Sequence, residues 1–504
     1  VVSGEKSQVT YLRAKAEGQL PHQEASWRTA SFVVSPKGQP LWNAMLEHPQ
    51  KVTVGPEYWK TIYSDVSNTD VTPWPVLEQT QQFHQDAMVT AGSKGDDYGN
   101  VGSLPTTGAY TMNRLNHCPP IFHEYYRSGN TAIRETAVQW CSNFYDLSVW
   151  WGEGREGEFG GTRYNNRGAM GTDFTNDPKY MWRSNRAVHF CTKGYDAFFY
   201  AYEETGDPRM ATALHWQLEY AKEAIFANKG ESRNIGDVID FVRLYEYTGD
   251  PEMLAHGLRL FRELREKLSP GDVFEQGGKQ ILPNVQFIDD DAMGTKFPFA
   301  KPYIMGYALE GLPRLVQYVE DEPKLKEVIR AVADFMAASQ DPSGGWRYPH
   351  PKSSHTIIGQ GMEHSAQIAR AAAYLHEQGE PIENLLDAIE RTLQSRVGSV
   401  TRANTFLSGL GGWEKSTGYL KEGQTIYDLY KHPDDRDTAR DYTDGNIGQG
   451  GLSVEGGVYF SEVMDFYLEH RPAERLLNAT PELETILQRM EPKQEAATTE
   501  EVST

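Results

Sequence analysis

Cysteine is scarce in this chain, and the three that occur, Cys118, Cys141 and Cys191, are an odd number without metal-type spacing. Buried thiols are expected rather than a disulfide framework or a cysteine-built zinc site. Long apolar runs are absent too: nothing approaches the roughly 18 residues that would suggest a membrane-spanning helix. Positive charge is the third shortage. Lys and Arg number 49 against 70 Asp and Glu, a formal charge of −21, which disfavours nucleic acid and anionic membrane surfaces as partners. An acidic sugar is not excluded, because a local cluster of Arg and His could hold it. The sequence begins at Val1 with neither Met nor a signal peptide, so a mature form or a fragment is expected.

Hydrophobic content of 39 % with 12 % aromatic residues is enough for a large core, and the chain is long enough for more than one domain. Its most informative feature is a repeated turn. Tyr202-Glu-Glu-Thr-Gly206-Asp207-Pro208 and Tyr245-Glu-Tyr-Thr-Gly249-Asp250-Pro251 are two copies of one device. Gly suits the left-handed position just past a helix, Asp can accept from the free N–H groups of the next helix, and Pro fits the first helical position. Gly129-Asn130-Thr131 is a variant, and Val319 to Pro323 and Gln378-Gly379-Glu380-Pro381 are degenerate forms.

Helical periods follow these turns. Ile133, Ala137, Trp140, Phe144, Leu147 and Trp151 step by threes and fours, as do Met210, Leu214, Leu218, Ala221 and Ile225. So do Leu254, Leu258, Phe261, Leu264 and Leu268, then Leu325, Val328, Val332 and Phe335, then Leu386, Ile389 and Leu393. The turns at Gly129, Gly206, Gly249 and Gly379 are unevenly spaced, which argues against an open superhelix of equal repeats. The expected fold is mainly α: an (α/α) toroid of about six helical hairpins with long loops on one face. Residues 1–72 read as a β-rich segment, the end of a larger β-sandwich, because Val9 to Leu12 and Ser26 to Val34 cluster β-formers. Residues 73–482 hold the toroid, and 483–504 form an acidic tail expected to be disordered.

The loops carry the candidate chemistry. Gly160-Gly161-Thr162-Arg163-Tyr164-Asn165-Asn166-Arg167, Gly344-Gly345-Trp346-Arg347-Tyr348-Pro349-His350 and Gly411-Gly412-Trp413 each join Gly–Gly to an aromatic or basic residue. Aromatic faces stack on sugar rings, and Arg and Asn donate to carboxylates and hydroxyls. The competing reading for each Trp is loop packing. His350, His355 and His364 lack a recognised metal spacing, so sugar contacts or packing are expected of them.

Several of these motifs, in order, resemble the exo-acting rhamnogalacturonan lyase-like family: Pro21-His22, Trp27-Arg28-Thr29, Gly95-Asp96-Asp97-Tyr98-Gly99, Gly160 to Tyr164, and His189 ahead of Gly194 with Tyr202 to Asp207 following. The chain departs from the family pattern at Phe190-Cys191, where a Ser–Trp would follow the histidine. The resemblance implies secretion or a periplasmic location, an N-terminal β-domain, a uronate-containing polysaccharide as substrate and β-elimination as reaction.

Elimination from a uronate needs a carboxylate neutraliser, a base for the adjacent proton and an acid for the leaving oxygen. Arg167, Asn165 and Arg163 are candidate neutralisers, His189 a candidate base, and Tyr164 a candidate base or acid. Asp97, Tyr98, Trp346, Arg347, His350, His355 and Trp413 are candidate substrate contacts. The alternative is a glycoside hydrolase, which needs two carboxyl groups set apart by about 5–5.5 Å or about 6.5–9.5 Å. Asp96 and Asp97, Asp237 and Asp240, and Asp289-Asp290-Asp291 supply candidates. No cofactor is expected. The Asp289 triplet could meet Ca²⁺, but three consecutive carboxylates cannot alone surround it. A non-catalytic glycan-binding or scaffold protein is the third class, and it would present plainer loops.

Overall fold

A computed structural model describes residues 54–93, 118–147, 195–224, 237–265, 268–276, 279–287, 302–319, 321–340, 344–348, 355–357, 361–410 and 457–477. The chain is mainly α. Helices α1 (Pro56–Ile62) and α2 (Pro75–Ser93) precede the hairpins α3 (Cys118–Ser128)/α4 (Thr131–Leu147), α5 (Tyr195–Thr205)/α6 (Pro208–Ala224) and α7 (Val238–Thr248)/α8 (Pro251–Arg265). A β-hairpin follows, β1 (Leu268–Gln276) with β2 (Lys279–Phe287). Then come α9 (Pro302–Leu315)/α10 (Leu325–Ser339), the short antiparallel pair β3 (Trp346–Tyr348) and β4 (His355–Ile357), and α11 (Gly361–Glu377)/α12 (Glu383–Leu410). Helices α13 (Phe460–His470) and α14 (Glu474–Leu477) end the described chain.

The turns behave as their residues dictate. Gly129, Gly206, Gly249 and Gly379 are left-handed, with φ of 67°, 64°, 71° and 73°. Asn130, Asp207 and Asp250 each accept the backbone N–H two residues on, at 3.0, 2.9 and 3.0 Å. Each therefore fills one of the donors that a helix start leaves open. A methyl group at Gly249 would touch nothing within 4 Å, so a Gly249→Ala change isolates backbone strain. It is expected to destabilise by about 1–2 kcal/mol, the cost of left-handed backbone for an L-residue, read from the urea midpoint.

Ring closure follows from who packs on whom. Helices α3, α5, α7, α9, α11 and α13 pack successively or reach one another through side chains; α4, α6, α8, α10 and α12 pack outside their preceding inner helices. The sixth outer place is taken by α2, from the start of the ring, which packs on α4, α12 and α13. Gln81 donates to Ser461 at 3.0 Å, and Ser461 in turn donates to Glu124 at 2.7 Å, tying α2, α13 and α3 together. The core runs through the whole ring, and Trp140, Tyr200, Tyr467, Phe122, Phe198, Phe241 and Phe261 are its largest fully buried side chains.

Two expectations are corrected. Within the β-rich reading of residues 1–72, residues 1–53 lie outside the described chain, but residues 56–62 are helical. Pro56 at the first helical position, Glu57 in the first turn and Lys60 in the last are helix signals that outweigh the Val and Thr around them. Leu268, placed in the helical series of α8, instead opens β1, because the helix ends at Arg265 and Pro270-Gly271 cannot continue it. The tail, 483–504, lies outside the described residues.

Candidate functional site

Inner helices run parallel, which gives the ring two unlike ends. Between α5 and α7, Tyr195 meets Asp240 while Phe199 stacks on Tyr247. Between α7 and α9, Gly311 abuts Ile239 while Arg314 and Tyr318 reach Glu246. Gly306 faces His364 and Glu310 meets Gln367 between α9 and α11; Arg370 meets Glu462 and His376 meets His470 between α11 and α13. In each pair the contacts advance together along both helices, so the starts of inner helices stand at one rim. The short turns at Gly129, Gly206, Gly249 and Gly379 stand at the other.

Every long connection therefore leaves and returns at the rim where inner helices begin. Asp97 and Tyr98 lie in the segment joining α2 to α3; Arg163, Tyr164, Asn165, Arg167 and His189 in that joining α4 to α5; Asp289, Asp290 and Asp291 between β2 and α9; His350 between β3 and β4; Trp413 between α12 and α13. All of these residues are outside the described chain. Arg347 and His355 occupy β3 and β4.

Trp346 is not a sugar platform. It is 2 % exposed, and its indole N–H donates to the Met336 carbonyl at 2.8 Å, satisfying an acceptor that the end of α10 would otherwise leave open. The preceding Gly344 has φ of 84°, and a Cβ there would stand 2.6 Å from the Arg391 carbonyl oxygen. Gly–Gly–Trp here packs a loop against α12. A Trp346→Phe change is expected to cost about 1–2 kcal/mol for the lost bond and to leave glycan affinity unchanged in a binding titration. His364 is also internal: it is 2 % exposed and bonds Gln367 at 2.8 Å. Burial pushes its imidazole down to about 4, against the opposing Gln367 bond and the Glu310 charge.

Near the same rim, buried carboxylates stand at the starts of inner helices. Asp237 is fully buried at the N-cap position of α7 but makes no side-chain capping bond. Asp240 accepts from the Tyr195 hydroxyl and Asp196 from the Tyr247 hydroxyl. Glu363 is buried in the first turn of α11, and farther from the rim Glu310, midway along α9, accepts from Gln367 at 2.8 Å. Among the described residues, no group of three or more His, Cys, Asp or Glu is placed to hold a metal ion, and no helix is long and apolar enough to cross a membrane.

Further along the lumen lies a cavity of about 530 Å³ bounded by α7, α9, α11, α13 and the α1 region. Arg243, Arg314 and Arg370, from three successive inner helices, stand 3.9, 4.0 and 3.9 Å from Asp65 Oδ2. Burial alone would raise the Asp65 carboxyl, but the Arg370, Arg314 and Arg243 charges outweigh it and hold it well below the usual carboxylate range. His123, beside this layer, is pushed down to about 3 by burial, with Asp65 opposing. Its Nε2 pairs with the Tyr200 hydroxyl at 2.9 Å. These lumen charges were not singled out by the sequence reading, although an Arg set in the apolar run Val238-Ile-Asp-Phe-Val-Arg243-Leu244 is a visible anomaly.

No protein-family model and no curated protein matches the chain. Among solved structures it is similar to a polysaccharide lyase, at 12 % identity and a TM-score of 0.43 over 77 % of this chain and 99 % of that one. It is similar as well to a glycosyl hydrolase family 88 protein from Bacteroides vulgatus, at 12 % identity and a TM-score of 0.43 over 78 % of this chain and 99 % of that one.

Proposed function

We propose that this chain is a secreted or periplasmic polysaccharide lyase that cleaves a uronic-acid-containing polysaccharide by β-elimination at the rim where the inner helices begin. One observation carries the reading. The connections bearing Arg163-Tyr164-Asn165-Asn166-Arg167, His189, Asp97-Tyr98 and Trp413 all depart from and return to that rim, and loops gathered on a rigid scaffold are the usual suppliers of a binding site. In this proposal Arg167, with Arg163 and Asn165, neutralises the uronate carboxylate and so acidifies the neighbouring C–H. His189 removes that proton; Tyr164 serves as the base or as the acid that protonates the departing oxygen. Incubation with a panel of acidic and neutral glycans tests it. Ultraviolet absorbance of an unsaturated uronate is the expected result, and cleavage without it would sink the lyase assignment.

Glycoside hydrolysis is the second reading, favoured by one observation: Asp237 and Asp240 are both buried at the start of α7, at the same rim. Hydrolysis would add water across the bond and leave a saturated sugar at the new non-reducing end. Asp237→Asn would then abolish cleavage.

A further inference from the structure

We propose that the lumen cavity beside Asp65 is a separate binding site for a neutral sugar, held through a vicinal diol bridging Asp65 and Arg243. The argument starts from two groups with unused capacity. Arg243 is 7 % exposed, its Nε has no hydrogen-bond partner within the protein, and its nearest carboxylate oxygens, on Asp65 and Glu246, stand 3.9 and 4.0 Å away. A guanidinium buried to this degree ordinarily has its donors filled. Its neighbours have close carboxylate partners: Arg314 pairs with Glu246 at 2.6 Å and Arg370 with Glu462 at 2.8 Å, although Arg370 Nε is likewise without a hydrogen-bond partner.

Asp65 is the complement. Its Oδ2 has the three guanidiniums around it at 3.9–4.0 Å, beyond hydrogen-bond length, while Oδ1 meets the Ser64 hydroxyl at 3.5 Å. Asp65 and Arg243 both line the cavity, with the Arg243 Nη2 end 3.9 Å from the carboxylate, so an acceptor and a donor side chain border a common space. A sugar hydroxyl both donates and accepts, so adjacent hydroxyls can give protons to Asp65 and take hydrogen bonds from Arg243, which neither an alkyl chain nor a simple anion can do. The cavity, at about 530 Å³, lies within the roughly 300–1,000 Å³ span of small-molecule sites. Tyr374 and Phe466 line its wall and offer apolar ring surface to a pyranose.

Charge selects the neutral class. Six carboxyl groups and four cations border the cavity; burial pushes Glu462 up to about 8, which leaves five carboxylates against four cations, and Asp65 remains ionised among the arginines, so a uronate gains no net attraction. The cavity also reaches Gln317, Glu377, Gln378 and Glu469, at the ends of the inner helices. Its mouth is thus on the short-turn end, across the ring from the connections that carry the proposed elimination chemistry. The inference goes beyond the elimination reading and is independent of it.

Saturation-transfer NMR and calorimetry on the full chain test the site, with methyl glycosides of glucose, galactose and rhamnose as neutral probes and galacturonate as the acidic one. At least one neutral glycoside is expected to bind, Asp65→Asn and Arg243→Met to weaken it about 10-fold or more, and galacturonate to bind more weakly than the best neutral probe. Asp65→Asn keeps the side chain's shape, and Ala373→Phe narrows the cavity from α11; both remain informative if Arg243→Met fails to fold. Three results overturn the proposal: no neutral glycoside binds, binding is indifferent to Asp65→Asn and Ala373→Phe, or galacturonate binds best and gains from Asp65→Asn. Binding is read without turnover, so failure here leaves the elimination chemistry standing, and absence of an unsaturated product leaves this site standing.

Discussion

Replacing Tyr164 by Phe, or His189 by Ala, is expected to lower turnover about 100-fold or more, the usual worth of general acid–base help. Only one hydroxyl or one imidazole is removed, so substrate affinity and melting temperature should change little. The ranking against carboxylate variants is the decisive part. In an elimination the neutraliser and the base act at one carbon centre, so Asp97→Asn or Asp237→Asn should be the milder changes. A hydrolase would show the reverse, with Asp237→Asn inactive and Tyr164→Phe close to wild type. Asp237 also has a structural stake, since it is fully buried at the start of α7. Loss of activity in its variant therefore counts for the hydrolase only if the thermal melt is unchanged.

Local signals were legible in the sequence where one residue type answers one backbone need. Gly206-Asp207-Pro208 and Gly249-Asp250-Pro251 state a helix end, a cap and a helix start within three residues, and the chain turns there. The apolar period also held where a helix had a neighbour to bury it against: Ile133, Ala137, Trp140, Val332, Ile389 and Leu393 are fully buried. It failed at Leu268, because periodicity carries no information about where a helix stops when Pro and Gly lie ahead. The α2 helix illustrates a different limit. That it fills the outer place beside α13, nearly the whole chain away, is a tertiary fact without a local sign.

Among the candidate site residues that the structure describes, Trp346 was misleading for a comparable reason. Gly–Gly–Trp reads as a flexible aromatic loop, yet Trp346 is drawn inward by the open carbonyl of Met336 at the end of α10. Buried charge was harder still. Arg243, Arg314 and Arg370 are separated by whole hairpins in sequence and meet only because α7, α9 and α11 run parallel around one lumen. Ring closure creates that meeting, and no residue spacing encodes it.

Acidification supplies the second large effect, and its sign distinguishes buried histidines from the general charge of the chain. His123 and His364 have folded values of about 3 and about 4, both below the ordinary imidazole value of 6.5 because burial disfavours the imidazolium. The unfolded chain therefore binds protons first as pH falls. Stability from these groups is fully present above the unfolded value, is lost progressively below it, and is exhausted once the folded values are passed. At pH 5 each histidine should cost about 2 kcal/mol, taking about 1.4 kcal/mol per pH unit, so the pair removes about 4 kcal/mol. The net charge of −21 pulls the other way: approaching the isoelectric point near 5.2 relieves self-repulsion and should stabilise. A comparison with His364→Asn separates the two, because Asn keeps a donor for the Gln367 oxygen but does not titrate. Unfolding free energies of the two proteins from urea titration should converge by about 2 kcal/mol between pH 7 and pH 5. Parallel pH profiles would show that the His364 imidazole is protonated in the folded chain after all.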